Sequence, residues 1–484
     1  MKKITALLLV VLMLAQLASC GSGTNEDATT PSDTTNTDIA VNTETETETE
    51  AKPNLPEKDY GGQVLHILAE TDFEKFVFAS ELTGEAVNDA LYNARTAVEE
   101  QFNVSFVNDI VVAQCDTKTT DNTIKSGEDA FLFAQNHDRT TATMSLNGWF
   151  YDFHELPYID LTAEWWPHFT VDSLTINHQM YFTSCFINWN GLAQTRVIFA
   201  NMDLLNNFKL ANPFEMVYNK TWTLDNFTTM VKDVYVDVDG NGVRDKTDTY
   251  GFFFEYDPYC WLEGFGVEIY KKEGADSPII TLDALGDRTA TLVDKLHTLG
   301  YSGLPGTFVT LGSNKENTNQ CELFSKGNAV FGLAGIDAML TYLTDSDIDY
   351  AMLPLPLFDE NQSDYIGPCT DRLIYVPITV QDTEQAGILL EALEYQGYKL
   401  VMPTYQESTL KKRYANSEDT AKMLDIVFSN RVISLSYLYG NMSLNLLKTV
   451  VPDNTLVSYV ESESTKEQKY IDQVIALHSS DKTK

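Results

Sequence analysis

The stretch from Thr221 to Gly251, TWTLDNFTTMVKDVYVDVDGNGVRDKTDTYG, leaves few alternatives for how this part of the chain folds. Leu224, Phe227, Met230, Val231 and Val234 recur at helical spacing and give one apolar face, so a helix is expected over 224–236. Thr223 supplies a capping hydroxyl, and Asp225 places a carboxylate where the helix dipole favours one. The chain then runs Asp237-Val-Asp239-Gly-Asn241-Gly242-Val-Arg-Asp245-Lys-Thr-Asp248. Oxygen side chains fall at positions 1, 3, 5, 9 and 12 of a twelve-residue loop, with glycine at position 6. That is the donor pattern of a calcium loop. The expected ligands are Asp237, Asp239, Asn241, the Val243 carbonyl, Asp245 and Asp248. Asp248 is shorter than the glutamate usual at position 12, and Tyr250–Phe254 reads as a buried strand where a sensor would need a second helix. A structural Ca2+ is therefore expected. The same residues also suit a hairpin of Asx-turns without metal.

The chain begins with Met1-Lys-Lys and an apolar run from Ile4 to Leu17, too short to span a bilayer and shaped like a secretion signal. It ends Leu17-Ala18-Ser19-Cys20-Gly21, which resembles the lipoprotein box of bacteria. The resemblance implies a signal peptide over 1–19, cleavage before Cys20 and acylation of its sulfur; two acyl chains suffice for stable anchoring. Residues 20–58 are dominated by Thr, Ser, Asn, Asp and Glu and cannot bury a core, so a disordered tether is expected. A long spacer suits a thick wall. The expected location is the outer face of the cell membrane, held by lipid, in a Gram-positive bacterium.

The remaining residues are too many for one core and suggest two domains. The formal charge of −37 excludes nucleic acid as a partner and argues against docking on anionic lipid, so membrane contact is expected through the anchor only. Beyond Cys20 stand Cys115, Cys185, Cys260, Cys321 and Cys369, an odd count without a Cys-x-x-Cys pair. Buried free thiols are the plain reading; a single disulfide stays open, with no pair named.

Gln63–Leu68 reads as a strand, Val87, Ala90, Leu91, Ala94, Val98 and Phe102 as one helix face, and Val104–Val107 as the next strand. This alternation predicts an α/β fold with a largely parallel sheet. A further strand, Ala130–Ala134, precedes His137-Asp138-Arg139. Ligands of open α/β sheets bind beyond the carboxyl ends of strands, which makes Asp138 and Arg139 cleft candidates; a surface ion pair is the competing reading. Between Trp149 and Trp189 the chain is dense in aromatics, including Trp165-Trp166. Such rings stack on sugars, but most large aromatics fill cores, and Trp165-Trp166 are expected to anchor packing.

Thr195-Arg-Val-Ile-Phe-Ala-Asn201-Met-Asp-Leu-Leu205, followed by Thr221-Trp222-Thr-Leu-Asp-Asn-Phe227, resembles the family 1 extracellular solute-binding proteins, lipoprotein receptors of ABC importers that share the maltose-binding-protein fold. Ala200-Asn201-Met202 departs from that family's Tyr-Asn-Lys. Phe324-Ser-Lys-Gly327-Asn-Ala-Val-Phe331-Gly-Leu-Ala-Gly335 and Tyr350-Ala-Met-Leu-Pro354-Leu-Pro356 are similar to two further segments in the same order. The resemblance covers about 60 to 440 and implies a bilobal, periplasmic-binding-protein-like α/β fold. The first lobe is expected from 59–192 with 370–415, and the second from 196–366 with 421–484. It implies a solute, an oligosaccharide, held between the lobes by Trp261, Trp189, Tyr259, Asp138 and Gly335, and handed to the permease subunits of an ABC transporter. For each of these residues a purely structural role competes. A monomer is expected.

No Gly-x-Ser-x-Gly elbow, His-Glu-x-x-His pair or phosphate loop occurs, and the seven histidines lack ligand spacing. No catalytic residues are assigned. A lipid-anchored glycoside hydrolase and a surface glycan-binding protein without a transporter are the alternatives.

Overall fold

The computed structural model describes residues 51–254, 258–310, 319–415 and 417–479. The expected signal peptide, Cys20 and most of the tether lie outside them. In chain order the strands are β1 (Gln63–Glu70), β2 (Val104–Val112), β3 (Phe133–His137), β4 (Arg196–Asn201), β5 (Tyr235–Val236), β6 (Thr249–Phe254) and β7 (Tyr270–Lys272). They continue as β8 (Ile280–Leu282), β9 (Thr307–Val309), β10 (Ala329–Gly335), β11 (Tyr350–Leu353), β12 (Gly367–Pro368), β13 (Arg372–Tyr375) and β14 (Arg431–Val432).

Two separate α/β sheets divide the described chain. The first has the order β13-β3-β1-β2, with β1 parallel to both β2 and β3 and β13 antiparallel to β3. The Ala86–Phe102 helix makes the crossover, burying the six residues that the sequence pattern selects. It stops because Asn103 adopts a left-handed conformation (φ 50°), which asparagine tolerates. β3 starts later than expected, at Phe133, because its pairing with β13 runs from Ala134 to His137.

The second sheet runs β11-β4-β10-β6-β5, with β9 also paired to β6. Every residue of β10 is buried, as befits a central strand covered on both faces. The Leu224–Val231 helix is shorter than expected. The sheet edge captures the residues that follow it. Lys232 and Val234 carbonyls accept bonds from Gly306 and Gly251, and Tyr235–Val236 pairs with Tyr250–Thr249.

The chain passes between the lobes near 188–196 and 366–372. β12 pairs with β14 beside these crossings. The helix Glu418–Ser429 packs on β11 of the second lobe. The segment beyond it was expected with that lobe but touches both: helix Leu435–Tyr439 packs on Asp138–Ser145 of the first lobe, and Leu456–Leu477 on β8 of the second. All five described cysteines are free, four of them buried. No helix among the described residues is long and apolar enough to cross a membrane.

Candidate functional site

The carboxyl ends of β1 and β3 and the start of β13 meet at one edge of the first sheet. Glu70 ends β1 fully buried and accepts Arg372 Nε at 2.6 Å and the Cys115 amide at 2.6 Å. The Arg372 guanidinium lies over the Phe73 ring, 3.6 Å from its centroid. Its terminal nitrogens make no hydrogen bond among the described residues. Asp138 sits just after β3, where the sequence placed it. It is fully buried, with Oδ1 accepting the Arg139 amide (2.6 Å) and Oδ2 facing the Asp371 amide (3.5 Å). Arg139 reaches the Tyr437 carbonyl (2.7 Å) and Asn441 Oδ1 (3.0 Å). This Asp–Arg pair joins the sheet edge to the C-terminal segment.

Asp371 is buried under the first crossing. Its carboxylate accepts from Ser184 Oγ (2.5 Å), the Arg372 amide (2.7 Å) and, at 3.5 Å, Asn188 Nδ2. A Cβ on Gly191 would stand 2.5 Å from Asp371 Oδ2, so glycine is what lets the crossing lie on the carboxylate. Burial pushes the Asp371 carboxyl up to about 7, against the downward pull of Ser184, the Arg372 amide and Arg431; neighbouring Asp138 adds to the rise.

Trp189 lies at the same crossing, half-buried, with its ring 4.5 Å from Phe76 and 5.0 Å from Tyr405. Among the described residues its indole N–H has no partner, and neither amide atom of the fully buried Asn190 has one. Native interiors pair such groups with protein, water or ligand. On the second-lobe side Gly335 ends β10 and precedes the helix Ile336–Leu343. A Cβ there would meet Arg196 Nη1, the end of a long side chain, at 2.6 Å. Asp337, in the first turn of the same helix, accepts the Tyr405 hydroxyl at 3.1 Å. Burial raises the Asp337 carboxyl above its usual value, while Tyr405 and Lys75 hold it down.

Trp261 is corrected by the structure. It is fully buried between Phe254 (5.7 Å, 14° between planes) and Phe265 (5.7 Å, 21°), so neither face is open to a sugar. Burial of a large ring in the second-lobe core outweighed its position after the loop strand. Tyr259 belongs to the helix Pro258–Gly264, and its side chain lies outside the described residues. Of the expected ligand residues whose side chains are described, Trp189 presents a polar atom without a hydrogen-bond partner. Asn190, Arg372, Tyr405 and Asp337 were missed. Only the polar Asn188-Trp-Asn190 break in an apolar run hints at them in sequence.

In the 237–248 loop, one oxygen each of Asp237, Asp239 and Asp248 comes within 4.8 Å of the others. Asp248 is buried, accepting the Tyr235 hydroxyl (3.0 Å) and the Val238 amide (3.1 Å). Asn241 Oδ1 is taken by the Val243 amide and Asp245 Oδ1 by Thr247, which holds the Asp245 carboxyl below its ordinary range. The donor set is all oxygen, the chemistry of a hard divalent cation.

No family model matches the chain, and no curated protein does. Solved structures do. An ABC transporter solute-binding protein of Thermotoga lettingae, bound with α-D-tagatose, matches at TM-score 0.53 and 12% identity over 85% of this chain and 100% of its own. A maltose-binding periplasmic protein of Listeria monocytogenes, in complex with maltose, matches at TM-score 0.53 and 14% identity over 86% and 97%. A solute-binding protein of Agrobacterium radiobacter, in complex with ribitol, gives 0.51 and 11% over 85% and 100%. The chain has the fold of ABC-transporter solute-binding proteins. In that fold the two sheets found here correspond to the two lobes.

Proposed function

We propose that this protein is a membrane-anchored extracellular solute-binding protein that captures a polyhydroxylated solute, an oligosaccharide, for an ABC importer. The observation that carries the reading is that the Trp189 indole N–H and the amide of the next residue, Asn190, are buried without partners among the described residues. A sugar offers hydroxyls that donate and accept, together with C–H faces that stack on an indole. The solutes of the three structural neighbours, tagatose, maltose and ribitol, share that chemistry. Binding without turnover is the proposed activity. Anchoring through Cys20 and a structural Ca2+ on the 237–248 loop belong to the same reading; the ion would tie the Leu224–Val231 helix to β6.

A thermal-shift screen of mono- and oligosaccharides and polyols tests it. A ligand at a hundred times its dissociation constant adds about 2.7 kcal/mol of stability. Trp189→Phe keeps a ring but removes the N–H, and should weaken the best hit about tenfold with a smaller change in melting temperature. A panel with no hit, or a hit indifferent to Trp189→Phe, overturns the site.

A further inference from the structure

Besides the crossings, the lobes are joined at a place no sequence signal marks. Lys272 lies on β7, in the hairpin of β7 and β8. Its ammonium is surrounded by four backbone carbonyls: those of Asp172 (2.7 Å), Ser173 (3.1 Å) and Thr175 (3.0 Å), and that of Ala275 in its own hairpin. The first three sit at the C-terminal end of the helix His168–Leu174. That helix belongs to the first lobe, since Thr183, on the segment leading from it, exchanges two backbone hydrogen bonds with Ile374 of β13 (3.0 and 2.8 Å). In chain order the hairpin stands between the helices Pro258–Gly264 and Asp287–Tyr301, inside the stretch that carries the second sheet from β6 to β9.

A cation at a helix C-terminus meets unsatisfied carbonyls and the negative end of the dipole. Burial lowers the Lys272 pKa, as Asp276 and Asp172 pull the other way. Two backbone-anchored contacts stand beside it. The Asn177 amide donates to the Asp276 carbonyl (3.2 Å), and the His178 amide to Asp276 Oδ1 (2.5 Å). Asn177 Nδ2 also reaches the His478 carbonyl at 2.8 Å. Next to the junction, a cavity of about 170 Å³ is lined from both lobes, by Ser173 on one side and Tyr270 and Lys272 on the other.

We infer that Lys272 is the pivot of solute capture: the lobes rotate about the junction of its ammonium with the Asp172–Thr175 carbonyls, which limits how far they part. The inference rests on the solute-capture reading. Hinge motions are absorbed by a few residues at element ends, and a point held by several charge-assisted bonds is costly to pull apart, so motion pivots there. Freed of this tie, the lobes would be held by the crossings, the C-terminal segment and the contacts at Asp276 and Asp337, and would part further.

Small-angle X-ray scattering of the full chain without solute tests the pivot. Lys272→Met keeps the aliphatic stem and removes the ammonium; it should enlarge the radius of gyration relative to the wild type. Lys272→Ala leaves a space shaped like n-propylammonium. Adding that ion should return the radius to the wild-type value, and sodium at equal ionic strength should not. If Lys272→Met does not fold, Lys272→Arg, whose planar fork does not fit four converging carbonyls, takes its place with the same expected enlargement. A radius unchanged in the folded variants, or one that propylammonium does not restore, overturns the pivot. Because this measurement needs no solute, a sugar panel without hits leaves it standing, and an unchanged radius leaves solute capture standing.

Discussion

The Tyr405 hydroxyl donates to Asp337 Oδ1 at 3.1 Å, and the same tyrosine ring packs against Trp189. The pair links the residue that carries the proposed site to the first turn of the Ile336–Leu343 helix. Tyr405→Phe should take a donor from a buried carboxylate and cost about 1 to 3 kcal/mol at neutral pH. Asp337 is raised by burial already, and losing the donor raises it further. A raised acid contributes stability that is present below its unfolded pKa and lost as pH rises through its folded one. The deficit of the variant should therefore shrink as pH falls toward 5, as read by urea unfolding at several pH values.

Asp371 gives the second pH prediction. Its carboxyl is pushed up to about 7 from 3.8, so the folded chain binds this proton more tightly than the unfolded chain. Stability from this group is complete below about pH 4 and lost as pH rises through about 7. Asp138, Arg431 and Cys369 face the same space and are common to both proteins compared. Asp371→Asn, which keeps the shape of the protonated acid, should be more stable than the wild type at pH 8. The margin should be on the order of 3 kcal/mol and should narrow toward pH 5. Equal pH profiles for the two proteins would refute the assignment.

For the acidic loop, calcium should raise the melting temperature by mass action, and magnesium less, because it demands tighter octahedral geometry. Asp237→Ala should remove most of the calcium effect, since Asp237 accepts the Gly240 (2.8 Å) and Gly242 (2.9 Å) amides and also converges with Asp239 and Asp248. Solute affinity should change little, because the loop lies on the far edge of the second sheet, at β5. Verified metal removal that leaves the wild-type melt unmoved would reduce the loop to a polar turn.

Cys20→Ala should release the protein from the membrane fraction or block its processing. Fractionation of labelled cells reads this directly, and equal retention of the variant would end the lipoprotein reading.

Local pattern in the sequence determined the element types. Apolar spacing named the Ala86–Phe102 helix and the β1–β2 pair, and residue type named the cap at Thr223, whose hydroxyl accepts the Asn226 amide at 3.3 Å. Period and capping are properties of neighbouring residues, so a single chain carries them in the open. The sequence also placed Trp165 and Trp166 in packing. It could not show that both indoles donate to one carboxylate, Glu391, at 2.7 Å, more than two hundred residues away. The site was decided in the same way. Trp261 and Trp189 look alike as sequence, but tertiary packing buries one between two phenylalanines and leaves the other's N–H unpaired at the crossing. Arg372, Tyr405, Asp337 and Lys272 acquire their roles only from distant partners brought within hydrogen-bond reach. Burial and hydrogen-bond satisfaction are set by what the fold brings alongside a residue, and residue type and spacing alone do not carry that information.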